Sequence, residues 1–411
     1  MEAVEYADFS LALHQRVSAR RIPISGTIEV TRRCPSNCVH CYNNLPLGDQ
    51  EARGRELTFE EHCRILNGLV DAGCLWLLYT GGEIFARKDF LDIYTYAKNK
   101  GFLITLFTNG MLITPEIADY LVEWRPFSIE ISIYGATKDT YERVTRTPGS
   151  YERCMRGIRL LLRRGLPLKL KTMVLTVNKH ELWDMKRFAE QELGVEFKFD
   201  AMINPCLGCS QDPLRVRLSP REVVELDLHD PKRVREWKKF AEKFNGPVHS
   251  PGHFDELYHC GGGLDTFAID PYGMLNMCVL SQDGYNLRRG GFRDGWEGFL
   301  LDLRQKRVHK PTKCTRCEIN AMCGMCPANG ELENRDAEKP VDFLCQVAHL
   351  RAKALGLPVK PHGECQYCHQ GPALGASRSA ALEERPTALT RKRSGSCARS
   401  KIVAKRLEER G

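Results

Sequence analysis

The sequence predicts an α/β fold of parallel strands, followed by a smaller cysteine-rich α+β region. Three observations carry this reading. Six strand-then-helix repeats lie between residues 26 and 201, several of the strands are apolar nearly throughout, and 18 cysteines fall mostly outside those strands. Repeated β-then-α order implies parallel strands joined by right-handed crossovers. Strands apolar on both sides are expected where helices cover both faces of a sheet.

The elements follow in order. GTIEV (26–30) reads as a strand. Residues 58–71 read as a helix, with Thr58 ahead of an acidic first turn at Glu60 and Glu61. CLWLLYT (74–80) is a strand, 88–100 a helix and FLITLFT (102–108) a strand. Thr114–Pro115 then opens a helix as an N-cap followed by proline. FSIEISIY (127–134) is a strand, 150–164 a basic helix ending at Gly165, and LKLKTMVLT (168–176) a strand. Residues 180–192 are helical and VEFKFDAMI (195–203) is the last strand. Six units are too few for a complete eight-fold barrel. Pattern alone leaves a doubly wound sheet and a partial, open barrel both available.

Beyond residue 204 the pattern changes. Residues 215–245 read as charged helix, and 251–350 as short-stranded, Gly-rich and Cys-rich. Residues 357–411 are polar and Ala/Ser/Arg-rich, which reads as a disordered tail. The expected divisions are 1–25, an N-terminal segment; 26–225, the catalytic core; 226–258, a helical connector; 259–350, the cysteine-rich domain; and 357–411, the tail.

Composition excludes several classes. A chain of 411 residues with 42% hydrophobic residues can build a sizeable core. No uncharged apolar run of about 18 residues occurs, so no membrane span is expected. The acidic start without a long apolar stretch is not a signal peptide, which points to the cytoplasm. The net charge is +8, of which residues 371–411 carry +6. The nearly neutral remainder gives no reason to expect nucleic-acid binding. Clustered cysteines in a long chain without a secretion signal read first as metal ligands.

The first cluster is EVTRRCPSNCVHCYN (29–43), directly after the first strand, where parallel α/β folds place their sites. Cys34, Cys38 and Cys41 have the spacing of a three-thiolate iron–sulfur loop. A four-iron cluster needs four ligands, so three leave one iron open for a small molecule. Zinc would need a fourth ligand such as His40, which more readily packs beside the cluster.

This C-x3-C-x2-C loop resembles the signature of the radical S-adenosylmethionine (SAM) superfamily. The resemblance implies a partial (β/α)6 TIM-like barrel, a [4Fe–4S] cluster and SAM. Gly81, Gly82 and Glu83 close the second strand and resemble the family's GGE motif. Two glycines let backbone approach a ligand, and Glu83 can accept from an ammonium, by resemblance the SAM α-amino group. Thr108 and Asn109 resemble the family's TNG segment. Ser132 stands where relatives often have Ser-x-Asp-Gly and would meet the SAM ribose or carboxylate; Tyr134 replaces the Asp, so no role carries over there. Lys171 would pair with the SAM carboxylate, or point to solvent as an ordinary strand lysine.

The later cysteines resemble the seven-cysteine SPASM domain of peptide-modifying relatives. Cys260 and Cys278 make C-x12-G-x4-C with Gly273, and Cys314, Cys317, Cys323 and Cys326 make C-x2-C-x5-C-x2-C before Cys345. The family commonly has three residues, not two, in the last gap. The resemblance implies two auxiliary clusters. Cys314, Cys317, Cys323 and Cys345 would hold one; Cys260, Cys278 and Cys326 would hold the other, with its fourth position open, filled by substrate, or closed by Cys206 or Cys209. A pair of structural zinc sites is the competing reading of this block. Cys63, Cys74 and Cys154 read as core residues. Cys365-x-x-Cys368-His369 matches a haem-attachment motif, which would require export, so it reads as a stray match or an adventitious metal site.

The implied activity is reductive SAM cleavage to a 5′-deoxyadenosyl radical and hydrogen abstraction from a ribosomal peptide or protein. Crosslinks, thioethers, epimers and oxidised side chains are all compatible products, and a flavodoxin or ferredoxin is the expected reductant. Val279 after Cys278 replaces the Asp that sulfatase-maturing relatives use as a base, which disfavours that activity. Only about 25 residues precede the first strand, too few for a winged-helix leader-binding domain. Two alternatives stand: radical SAM chemistry on a small-molecule or cofactor precursor, and a non-catalytic iron–sulfur electron carrier.

Overall fold

The fold was read from a computed structural model, which describes residues 6–244, 256–315, 317–362 and 364–368. Contacts divide the chain into two compact units. The first holds residues up to 207, 211–218 and 256–307; the second holds 208–210, 219–255 and 308 onward.

In the first unit a helix, α1 (Tyr6–Ser18), precedes strand β1 (Ser25–Thr31). The repeats continue as α2 (Phe59–Asp71), β2 (Trp76–Gly81), α3 (Phe90–Asn99), β3 (Leu103–Thr108), α4 (Pro115–Glu123) and β4 (Ser128–Ser132). Two helices, α5 (Lys138–Thr145) and α6 (Ser150–Arg163), lead to β5 (Leu168–Met173), and α7 (Leu182–Arg187) leads to β6 (Phe197–Asp200). Helix starts follow the predicted chemistry. Thr58 and Glu61 form a reciprocal capping box at α2, and Thr114 caps α4 with Pro115 in its first turn.

Each strand from β1 to β6 pairs in parallel with the next one in sequence. A doubly wound sheet reverses its strand order partway; β1 to β6 do not, so this part of the chain winds in one sense as a partial barrel does. The free side of β1 pairs in parallel with β7 (Thr266–Ile269), which is followed by antiparallel β8 (Met274–Asn276) and β9 (Gly284–Asn286). The nine-stranded sheet therefore has β6 and β9 at its edges. Burial alternates along the strands. Ile104, Leu106, Ile129, Ile131 and Leu170 are fully buried. Thr105, Phe107, Glu130 and Lys171 alternate with them on the other, half-buried face. The two faces are thus not equally covered, as the apolar pattern had suggested.

The second unit contains α8 (Pro220–His229), α9 (Pro231–Phe244), α10 (Pro327–Asn334) and α11 (Asp342–Ala354), and no strand among its described residues. Its core gathers Ala241, Cys317, Ile319, Met322, Ala348 and Ala352. The buried Asp227 carboxylate accepts from Arg351 Nε and Nη2 at 2.9 and 2.7 Å, joining α8 to α11. The division expected at 259 falls inside the first unit, because β7 completes the hydrogen bonding of β1. The tail expected from 357 is corrected over its first part: residues 357–362 and 364–368 are folded, with Cys365 fully buried. Residues 369–411, including His369, lie outside the described residues.

Candidate active site

The cysteine loop leaves β1 tied down by groups that are not cysteines. Buried Arg33 donates to both carboxylate oxygens of buried Glu56 at 2.8 and 3.0 Å, and Thr31 Oγ1 also donates to Glu56. The N–H groups of Asn37 and Val39 donate to the carbonyls of Thr145 and Val144, at 3.0 and 2.9 Å, so the end of α5 holds the middle of the loop. Tyr42 Oη and Asn43 Nδ2 donate to Glu29 at 2.9 and 2.6 Å, anchoring the far end.

Cys34, Cys38 and Cys41 are free thiols in this loop. Burial raises all three, Cys34 to about 12; Cys41 and Cys34 push Cys38 up further. A buried Cys34 beside half-buried Cys38 and Cys41, all with ionisation disfavoured, fits a cationic iron–sulfur core, which would stabilise all three as thiolates. The Cys34 sulfur already accepts from the Ser36 N–H at 3.4 Å and Asn109 Nδ2 at 3.5 Å, contacts suited to a thiolate ligand.

Glu83 is 1% exposed and has no cationic partner among the described residues. Its Oε1 accepts from Thr108 Oγ1 at 2.7 Å and from the Phe85 N–H at 3.2 Å; its Oε2 accepts from the Asn109 N–H at 2.8 Å. Burial raises its pKa, with these three donors acting against the rise. A carboxylate held by neutral donors in a dry site suits an incoming ammonium. Asn109 thus touches Cys34 through its side chain and Glu83 through its backbone.

Gly81 and Gly82 serve backbone packing. A Cβ on Gly81, at φ +138°, would lie 2.1 Å from the Thr31 carbonyl oxygen, and one on Gly82 2.5 Å from that of Arg33. The N–H groups of Gly82 and Glu83 donate to those same carbonyls at 2.7 and 3.0 Å. The glycines therefore press the end of β2 onto the start of the cysteine loop.

Ser132 and Lys171 are register partners on β4 and β5. Lys171 neither points freely to solvent nor lacks a partner. It pairs with Glu130 at 3.3 Å and sits over the Phe107 ring, and burial pulls its ammonium down to about 7. His40 packs its ring edge-on to Tyr134 with 4.9 Å between centroids. Its Nδ1 is buried without a partner, and burial lowers its pKa to about 4.

Cys260 and Cys278 lie in the first unit near one another. Cys326 belongs to the second, at the start of α10. Cys206 is in the first unit and donates to the Cys41 carbonyl at 3.5 Å, which places it by the first loop. Cys209 is buried in the second unit. Cys314, Cys317, Cys323 and Cys345 all line one cavity of the second unit, together with His349 and His362. Cys74 and Cys154 are buried as expected, whereas Cys63 is half-buried.

Sequence reasoning missed Glu29, Asn43, Arg33 and Glu56, which fix the loop, and the thiol contact of Asn109. It also missed His349 and His362. The Asn in the TNG segment was legible; a buried Arg33–Glu56 pair is 23 residues apart and carries no local pattern.

Residues 28–189 match the sequence model of the radical SAM superfamily. Over 323 residues the chain is 31% identical to the PqqA peptide cyclase of Ruegeria pomeroyi, covering 74% of this chain and 82% of that protein. It is 27% identical over 326 residues to the AdoMet-dependent heme synthase of Methanosarcina barkeri, covering 73% and 90%. Among solved structures, Streptococcus suis SuiB bound to precursor peptide SuiA has a TM-score of 0.62 at 15% identity, covering 84% of this chain and 82% of that one, a likeness of fold.

Proposed function

This chain belongs to the radical SAM superfamily, and we propose that its substrate is a ribosomal peptide or a protein undergoing post-translational modification. The family's [4Fe–4S] cluster with bound SAM supplies reductive cleavage to methionine and a 5′-deoxyadenosyl radical that abstracts hydrogen from the substrate.

Cys34, Cys38 and Cys41 would hold three irons, leaving one for the amino acid end of SAM. Glu83 would accept from the α-ammonium, with Thr108 and Asn109 fixing its two oxygens. Ser132 and Lys171 border the same strand ends and would meet the carboxylate or ribose; Lys171 would first have to leave Glu130. The observation that carries the reading is Asn109, which binds the thiol and the carboxylate at once and so fixes the distance between metal ligand and ammonium acceptor. Cys314, Cys317, Cys323 and Cys345 around one cavity support an auxiliary cluster there. A reductant such as flavodoxin or ferredoxin would deliver the electron. Likeness to PqqA peptide cyclase and to the SuiB fold supports a peptide over a free small molecule. Likeness to the heme synthase over 90% of its length favours a second reading, action on a cofactor precursor.

The test is 5′-deoxyadenosine formation by the reconstituted, reduced protein. Formation no greater than in a Cys34→Ala control ends the enzyme reading. Co-expression with a short peptide encoded beside the gene separates the two substrates. A mass change that requires Cys34 supports the peptide; an unchanged peptide, with a tetrapyrrole precursor consumed instead, replaces it. Iron near twelve per chain is expected for three four-iron clusters, and about four would remove the auxiliary ones.

A further inference from the structure

We propose that His349, His362, Cys365 and Cys368 form a tetrahedral zinc site in the second unit, beside the cysteines assigned to the auxiliary cluster and distinct from them. One ligand atom from each of the four lies within 4.8 Å of all the others, and three of the four residues are buried. The Cys365–Cys368 pair is built for this. The Cys365 N–H donates to the His362 carbonyl at 3.3 Å and the Cys368 N–H to the Cys365 carbonyl at 3.2 Å, two tight turns that bring both thiols back toward His362.

The histidines are prepared as neutral ligands. His349 Nδ1 lies 2.8 Å from the Cys345 carbonyl one helical turn earlier, so that nitrogen carries the hydrogen. Its Nε2 lone pair then faces Cys368 Sγ at 3.2 Å and Cys365 Sγ at 3.6 Å. His362 Nδ1 lies 2.9 Å from the Lys360 carbonyl and 3.2 Å from Cys368 Sγ, and its Nε2 lies 3.7 Å from the same sulfur, so either ring nitrogen reaches the site. A carbonyl that orients the ligating imidazole is the usual support of a metal-bound histidine.

Spacing separates zinc from another cluster. Zinc–sulfur and zinc–nitrogen bonds of about 2.3 and 2.0 Å place tetrahedral ligand atoms roughly 3.3–3.8 Å apart; the contacts of His349 and His362 with the two thiols run from 3.2 to 3.7 Å, and all four ligand atoms lie within 4.8 Å of one another. A cubane core holds its ligands on four separate metal atoms and spreads them further. An S2N2 tetrahedron suits zinc. Binding would release the two thiol protons to solvent, and two thiolates with two neutral imidazoles balance the dication. Cys345 Sγ is 3.7 Å from Cys365 Sγ, so the zinc site would share a wall with the cavity lined by Cys314, Cys317, Cys323 and Cys345.

The test uses the full chain purified without oxygen, with metals counted by mass spectrometry and zinc read by X-ray absorption. One zinc per chain is expected, with two sulfur neighbours at about 2.3 Å and two nitrogen neighbours at about 2.0 Å. His362→Ala and Cys368→Ser should lose zinc and keep their iron. The absorption spectrum of the unaltered protein decides the matter if the variants do not fold. Absence of zinc, zinc surrounded by oxygen, or loss of iron instead of zinc in Cys368→Ser overturns the proposal. None of these outcomes depends on SAM cleavage, so failure here is separable from failure of the enzymatic reading.

Discussion

The two cysteine regions are built on opposite principles. In the first unit, Cys34, Cys38 and Cys41 hang on a loop whose shape is fixed by Arg33–Glu56, Glu29 and the end of α5. None of those anchors is a metal ligand. In the second unit the ligand-type residues are the structure. Cys317 is part of the apolar core with Ile319 and Met322, and Cys345 and His349 lie one turn apart on α11. A scaffolded site gains chemistry when it is loaded. A site made of its own ligands gains fold as well, because metal binding is then folding free energy.

The largest expected effect follows from that difference. Stripping metal with a chelator under reducing conditions should open the second unit to protease within residues 308–368, while 25–207 stays resistant. Equal sensitivity of both segments, read by mass spectrometry of the fragments, would erase the contrast. Next in size is Arg33→Met. It strands the Glu56 carboxylate in a buried site, at a cost of about 3–5 kcal/mol in unfolding free energy. Denaturant unfolding checks this, and the cost should be the same with or without iron if the loop is anchored by protein alone.

A smaller effect is expected for Glu83→Gln, which keeps the shape and removes the charge. Loss of one charge-assisted hydrogen bond worth about 1.5–3 kcal/mol should weaken SAM binding roughly 10- to 100-fold. Equilibrium binding to the reconstituted protein measures it, and iron content should be unchanged. The smallest effect concerns Lys171. Its folded-state value, near 7, is depressed below its unfolded value. Burying the ammonium therefore costs stability fully below pH 7, and the cost fades as pH rises toward about 10.4. Lys171→Met should raise the unfolding midpoint more at pH 6.5 than at pH 9.5; an equal shift at both would show that the lysine stays charged.

Much of the fold was legible because it is local. Thr58–Glu61 and Thr114–Pro115 announced their helices three residues at a time, and the strands appeared as short apolar runs. The first thiol loop and Glu83 were legible from spacing, and both lie where parallel strands end. Gly81–Gly82 was legible as a need for small residues, but its reason was not: the crowding comes from Thr31 and Arg33, fifty residues earlier. Lys171 could not be read at all from its own strand, since Glu130 comes from the adjacent strand β4 and Phe107 from β3 beyond it.

The sequence by itself determined most of the alternating strands and helices between residues 26 and 201, and which cysteines travel together, because periodicity and short spacing act within a few residues. Tertiary structure decided the rest. It showed that the strand order does not reverse from β1 to β6, that β7 joins the free edge of β1, and that residues 256–307 belong with the first unit. It also brought His349 to Cys368, 19 residues on. Such meetings depend on how chain segments close in space around buried backbone and sulfur, and no local spacing encodes them.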